Sequence, residues 1–475
     1  MEHTVTETME RLTRSVQKHP RRAATLTVLA VALVSNFWIF FNARSFEEHT
    51  TLCSASYLTL GQNLLHGKGF VNQYGGPESR HTPGYPLFIA TVLRAVDHHE
   101  VVIFVQHLLI VLLALGVFEF TRRATDNLTL ATVAGALCGS DLSTTWISNQ
   151  IMAEALFTLV IFVVTVLTWK ITTSARAVAI SGATGLLIGA VVLVKPIAIL
   201  YAVPMALYVV IFARRARFRA AVVMLLCAAL LPGYWAMRNK KEKGVATITS
   251  IAGENMLTWR AAGALAIGAE PKLFPYTPVP LPDEEFVRRF YRQTQPAVNA
   301  LAERELQAQH GDRASQLNDA QRSVIQGRLG RRILLANPLD SVRVAVYGIL
   351  HVLFDGPWEA ASSLSGSLFR EPLMYLLFVV SVCSAVLAGL GLATLYRHQP
   401  RLFWLILLCV GYFLGMAAGM EAESRFRVPF TPFYSIAIAQ GAVVAASMLS
   451  ARRRSFSRTL TSTVSDPLLE AARKP

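Results

Sequence analysis

The sequence predicts an all-α integral membrane protein of about ten transmembrane helices, in a range of roughly nine to thirteen, with a mainly helical extracytoplasmic domain. Three observations predict it. Of 475 residues 53% are hydrophobic and only 16% charged, with a mean hydropathy of +0.42, more apolar surface than a soluble chain of this size buries. These residues gather into runs of about 17 to 24, close to the roughly 20 that a helix needs to cross about 30 Å of hydrocarbon. Short basic clusters stand at the ends of the runs, as in the positive-inside pattern.

Taken in order, residues 1–22 are polar and carry Arg11, Arg14, Lys18, Arg21 and Arg22, as expected of a cytoplasmic N-terminus. The first run, 23–41, ends in Trp38, Phe40 and Phe41 rather than at a small-residue cleavage site, so it reads as an uncleaved span. A first outer loop covers 42–101. Runs at 102–120, 128–145, 151–170, 178–194, 197–213 and 220–237 complete a transmembrane module over 23–237. Residues 238–371 form the expected extracytoplasmic domain with interfacial helices. It holds a Pro-rich stretch from Pro271 to Pro282 and then a charged region to Arg332, where Phe286, Val287, Phe290 and Tyr291 keep helical spacing. Runs at 372–395, 402–420 and 427–449 make a C-terminal module, 372–449, and residues 450–475 a cytoplasmic tail.

An even number of spans returns both termini to the cytoplasm. Arg122-Arg123, Lys170 with Arg176, Arg214 to Arg219, Arg397 with Arg401, and Arg452 to Arg454 then all fall inside. The parity requires that 83–96, which opens with Pro83-Gly84-Tyr85-Pro86, and 341–354, interrupted by Arg343 and His351, do not cross. The net charge of +15 is explained by orientation, and no nucleic-acid partner is expected. The five cysteines are scattered and show neither a disulfide framework nor zinc spacing. Adjacent His98 and His99 point different ways and read as solvated loop.

Charge inside a membrane is costly, so ionisable residues near span ends are informative. Asp141, Glu154, Lys195, Arg238, Glu421, Glu423, Arg425 and Arg427 all fall at the outward ends. Arginine forks and lysine suit a phosphate, while a carboxylate suits a proton taken from a hydroxyl. Snorkelling or local ion pairing is the plainer account of any one of them.

Four stretches carry a resemblance. They are Tyr57 with Leu60 to Phe70 and Arg80-His-Thr-Pro-Gly-Tyr-Pro-Leu-Phe88; Glu154-Ala-Leu-Phe-Thr158; Pro232 to Asn239 with Gly253-Glu-Asn-Met-Leu257; and Glu423-Ser-Arg-Phe-Arg-Val-Pro429. In order and spacing they resemble the GT-C superfamily of membrane glycosyltransferases, the relatives of protein mannosyltransferases and aminoarabinose transferases. The resemblance implies inverting transfer of a sugar, hexosyl or pentosyl, from a polyprenyl-phosphate carrier to an acceptor outside the cytoplasmic (inner) membrane of a bacterium, in building the cell envelope. It implies a lipid-linked sugar donor and membrane lipid as partners, and Mg²⁺ or Mn²⁺ in some branches only.

The residues that match imply phosphate or substrate contacts from Arg80, Arg238, Glu423, Arg425 and Arg427, and Lys195, followed by Pro196 at an outward span end, suits a phosphate contact as well. Acceptor or sugar contacts are implied from Tyr57, Asn63, His81, Tyr85 and Asn255. The family's first-loop aspartate, about four residues before the matching tyrosine, is replaced by Cys53. Glu47 or Glu48 is therefore the expected base, with Glu154 or Asp141 the alternative. A lipid-linked-substrate transporter or flippase, or a non-catalytic protein that kept the fold, is the rival reading. A transporter predicts polar residues at mid-membrane on several helices, and no broken helix pair recurs in two halves.

Overall fold

A computed structural model describes residues 18–42, 52–270 and 284–471. Glu47, Glu48 and the Pro-rich stretch from Pro271 to Pro282 lie outside the described residues. Among the described residues the protein is helical without a strand, the one β-type contact being an isolated bridge between Val71 and Pro77.

The chain begins with α1 (Pro20–Asn42), α2 (Leu52–Leu65), α3 (Gly84–Ala95), α4 (His99–Thr125), α5 (Leu128–Gly139) and α6 (Leu142–Ser148). Then come α7 (Glu154–Ile171), α8 (Ala177–Val194), α9 (Ala202–Phe212) and α10 (Arg217–Lys243). Among the described residues eight helices are long and apolar enough to cross a membrane, and they match eight of the ten expected runs. This is a multi-pass membrane protein.

At the other two expected spans, 128–145 and 197–213, the helices are shorter. The first stops because Asp141 accepts the Thr144 N–H at 2.8 Å and caps a new helix, α6, so the apolar run is split. The second is delayed by Pro196, which opens a 3₁₀ turn, Pro196–Ala198, before α9. Helix α3 has 12 residues, about 18 Å, and is too short to cross, as expected of 83–96.

Beyond α10, α11 (Ile251–Asn255) runs through a π-turn, Met256–Ala261, into α12 (Ala262–Gly268). Helix α13 (Glu284–Arg289) likewise runs through a π-turn, Phe290–Thr294, into α14 (Gln295–His310). Asn318 and Gln321 form a capping box that starts α15 (Asp319–Ala336). A 104° bend leads to α16 (Pro338–Phe354), so the apolar segment at 341–354 is half of a bent pair rather than a straight span. Helices α17 (Trp358–His398), α18 (Pro400–Ala417) and α19 (Thr431–Ala471) complete the chain, with a 3₁₀ turn, Ser424–Phe430, between the last two.

The two largest cores follow from this layout. One joins the spanning helices through Tyr85, Phe157, Tyr201, Phe413, Phe430 and Phe433, all fully buried. The other, smaller, lies within residues 257–347 around Leu257, Phe286, Phe290 and Tyr347. Where the two regions meet, Gly348 of α16 lets its backbone touch that of Gly419, because a Cβ there would strike the Gly419 amide.

Candidate active site

Helices α7 and α8 form an antiparallel hairpin, which returns the end of α8 to the start of α7. Residues 41 apart therefore meet: Lys195 Nζ lies 2.6 Å from Glu154 Oε1. The Glu154 side chain is 2% exposed, and a carboxylate taken this far from water requires a partner. Its other oxygen, Oε2, has no hydrogen-bond partner among the described residues. Lys195 is partly open to solvent and stands 5.9 Å from the Phe426 ring centre, and the Arg425 guanidinium stands 5.3 Å from the same ring. Arg425 also acts electrostatically on Glu154. Two cations and one carboxylate thus share a small volume beside an aromatic ring.

The 3₁₀ turn that carries Arg425 is fixed by its neighbour. Arg427 reaches Asp141 at 3.5 Å, donates to Ser143 Oγ at 3.0 Å, and donates to the Leu353 carbonyl at 3.4 Å. It is 10% exposed, so it holds α6, α16 and the turn together from inside. Arg425 itself is paired with Glu423 at 3.1 Å, both near the surface. Glu421 pairs with Arg260 at 3.4 Å, and Arg260 also donates to the Met416 carbonyl. Burial pushes the Glu421 carboxyl above its ordinary value, against the pull of Arg260. One turn from Arg427's contact on α16, His351 and Asp355 are hydrogen bonded.

The first loop closes on the same end. Helix α3 starts at Gly84, where a Cβ would lie 2.6 Å from the Leu193 carbonyl, so only glycine permits this approach to the end of α8. The close approach explains the Pro-Gly-Tyr-Pro string: it buries Tyr85 directly beneath Tyr57, their rings 4.9 Å apart. Tyr57 in turn packs edge-on to His81 at 4.7 Å.

Glu78 accepts the backbone N–H groups of Arg80 and His81, the latter at 3.2 Å. Burial alone would raise the Glu78 carboxyl. The bonds and charge of His81, with the two backbone donors, outweigh it and hold the group below its ordinary value of 4.5. Arg80 pairs with Glu254 at 2.8 Å, tying the loop to α11. Arg238 donates to the carbonyls of Glu78, at 2.7 Å, and Phe70, at 3.3 Å, and packs against Trp235. Asn63 donates to the Val71 carbonyl at 2.9 Å, and Asn255 is half-buried beside Glu254.

The structure therefore brings Glu154, Lys195, Arg425, Tyr57, His81 and Tyr85 to one end of the bundle, with Asp141 and Arg427 bracing them. Arg80, Arg238 and Asn63 are engaged in holding the first loop. Cys53 falls in the first turn of α2, one helical turn before Tyr57.

Sequence reasoning missed a buried polar network under this site. Asn36 donates to the carbonyls of Ala32 and Gly139, both at 2.9 Å, so its Oδ1 faces His107 Nδ1 at 3.0 Å. His107 Nε2 meets the Asn149 side chain at 3.2 Å. Gln106 donates to the Ser148 and Gln150 carbonyls at 2.9 and 2.7 Å and accepts from the Tyr85 hydroxyl at 2.5 Å. The signal was available in the adjacent Gln106 and His107 of an otherwise apolar run, since polar groups persist in a span only with partners.

Among the described residues no metal-binding group forms. No three His, Cys, Asp or Glu side chains converge among them, and Glu154, Asp141, Glu421 and Glu423 each face a cationic side chain.

No protein-family profile matches the chain, and no curated protein matches it in sequence. Solved structures do. The archaeal oligosaccharyltransferase AglB from Archaeoglobus fulgidus, in complex with an inhibitory peptide and a dolichol-phosphate, superposes with a TM-score of 0.52 at 11% identity, over 92% of this chain. The fold is GT-C-like. The chain spans about half the length of that oligosaccharyltransferase, 52% of it. ArnT from Cupriavidus metallidurans, bound to undecaprenyl phosphate, superposes more loosely, with a TM-score of 0.39 at 13% identity over 88% of this chain and 77% of its own. What the GT-C-like fold contributes here is the frame: a helical hairpin and a late 3₁₀ turn that deliver a carboxylate and cations from distant parts of the sequence to one point.

Proposed function

We propose that this protein transfers a sugar from a polyprenyl-phosphate carrier to an acceptor at the extracytoplasmic face of the inner membrane, with both termini in the cytoplasm. The observation that carries the reading is the convergence of Glu154, Lys195 and Arg425 at the bundle end opposite to the basic clusters, beside Tyr57 and His81. The dolichol-phosphate in the oligosaccharyltransferase structure supports a polyprenyl-phosphate ligand for this fold.

In the proposed step the acceptor hydroxyl oxygen bonds to the anomeric carbon while the bond from that carbon to the carrier phosphate breaks, inverting the centre. Lys195 and Arg425 take the charge that develops on the departing phosphate, in a partly dry site where such charge is best stabilised by fixed donors. The acceptor proton passes to a carboxylate. Glu154 is the best-supported acceptor of that proton among the described residues, because Lys195 occupies one oxygen and leaves Oε2 without a hydrogen-bond partner among them. Glu47 and Glu48 remain the candidates from the first loop. Tyr57, His81 and Tyr85 shape the wall toward the acceptor. Arg80 and Arg238 hold the loop that carries this wall, and Arg427 holds the turn that carries Arg425.

The test is turnover by the full chain in vesicles that contain polyprenyl-phosphate hexoses and pentoses together with a panel of oligosaccharide, glycolipid and peptide acceptors, followed by release of polyprenyl phosphate. The reading expects release with at least one donor, and a fall of about a hundredfold or more in Glu154→Gln. Folded protein that releases no polyprenyl phosphate from any donor overturns it.

A further inference from the structure

A π-turn is rare and destabilising by itself, and where one is kept it frequently marks a functional position. Two occur among the described residues, and they face each other. Gln295 Nε2, just after the second, donates to the Thr258 carbonyl of the first at 3.3 Å. Each turn presents an aromatic residue at the meeting point. Trp259 lies 5.8 Å from Phe290 and 6.1 Å from Tyr291, the latter at 86°. Phe290 is fully buried and anchors the pair, whereas Tyr291 is 49% exposed and Trp259 half-buried.

The pair is joined to the loop that leads to Arg425. Arg260, next to Trp259, bonds Glu421 and the Met416 carbonyl, and so seats the first π-turn on the loop that leads to Arg425. Glu423, on the same loop, acts electrostatically on the Tyr291 hydroxyl, adding to burial in raising it. Two aromatic rings at right angles, on a turn tied to the loop that carries Glu423, match one chemistry in particular. A pyranose ring has an apolar C–H face, which packs on an aromatic ring, and a rim of hydroxyls, which donate to a carboxylate.

We propose that Trp259 and Tyr291, with Glu423 on the adjoining loop, bind a pyranose ring of the acceptor, and hence that the acceptor is a saccharide or carries one. Its role as acceptor site rests on the glycosyl-transfer reading, but the binding itself does not.

The experiment titrates the full chain in lipid nanodiscs with maltohexaose, chitotetraose and mannotriose, with no donor present. Binding is read by saturation-transfer NMR and tryptophan fluorescence. The proposal expects saturable binding of at least one, weakened about tenfold in Tyr291→Ala and in Trp259→Leu and little changed in Tyr291→Phe. Tyr291 is half exposed, so its alanine variant tests the site even where Trp259→Leu disturbs packing. The proposal is overturned if none of the three binds or if Tyr291→Ala binds as well as the parent. Saccharide binding that depends on Tyr291, in a protein that consumes no polyprenyl-phosphate sugar, would sink the glycosyl-transfer reading and leave the saccharide site standing.

Discussion

The two ends of the spanning bundle use charge in opposite ways. At one end Glu119 alone serves three arginines, with Arg21 at 3.3 Å, Arg122 at 2.9 Å and Arg123 at 2.6 Å, and Arg21 and Arg123 are largely in solvent. Nearby, with Phe120 against Trp169, Arg401 lies over the Trp169 ring and bonds Thr172, and the Arg214 amide meets the Thr172 carbonyl. At the other end, about 27 Å away along the 18 residues of α7, cations and carboxylates are matched and partly buried. Excess exposed positive charge suits orientation against an anionic leaflet, and needs no fixed geometry. Matched buried charge holds geometry, which a reaction centre requires. The same residue types therefore do different work at the two ends.

The largest expected contrast comes from Lys195→Ala. Removing the lysine strands Glu154 in a nearly dry site and should cost about 3–5 kcal/mol of stability. Donor turnover should fall about a hundredfold or more; thermal melting and initial rates check the two. Melting of Lys195→Ala at the parent temperature would show that the matched end is not held by its pairs.

A smaller effect is expected beneath the site. His107→Leu leaves the Asn36 and Asn149 side chains facing an apolar group in a fully buried network, at about 1–3 kcal/mol. It should also loosen the 148–152 turn that leads to Glu154, seen as faster amide exchange there. His107→Gln, which keeps a polar partner for both, should recover part of the loss.

Smaller still is a pH effect in the first loop. The Glu78 carboxyl is held below its ordinary value of 4.5 when folded, so its stabilisation is fully present above about that pH and is lost as pH falls through the depressed folded value. Amide exchange at Arg80 and His81 should therefore accelerate below pH 4.5, and Glu78→Gln should remove the dependence. At the basic end, Arg123→Ala should produce no resolvable change in melting or turnover, because Arg123 is 72% exposed and Glu119 retains two other arginines.

Periodicity and hydropathy made the helical membrane class legible, because span length is set by bilayer thickness and is written locally. The breaks were less so: Asp141 as a helix cap and Pro196 as a turn opener lie inside apolar runs whose composition outweighs them. Glu154, Lys195 and Arg425 could be named from their places at run ends. That Lys195 pairs with Glu154, while Arg238 is engaged with the carbonyls of Phe70 and Glu78, depends on how the hairpins close, which no local pattern records. The π-turns were hidden for the same reason, since an i→i+5 bond leaves no signature in the side-chain spacing.

The central claim is that the matched end, and not the basic end, receives the carrier phosphate. Binding of polyprenyl phosphate to the full chain in nanodiscs tests it directly, with Lys195→Ala and Arg425→Ala compared with an Arg122→Ala, Arg123→Ala double variant. The account predicts affinity at least about tenfold weaker in each of the first two and unchanged in the double variant. Equal loss in all three, or loss in the double variant alone, would contradict it.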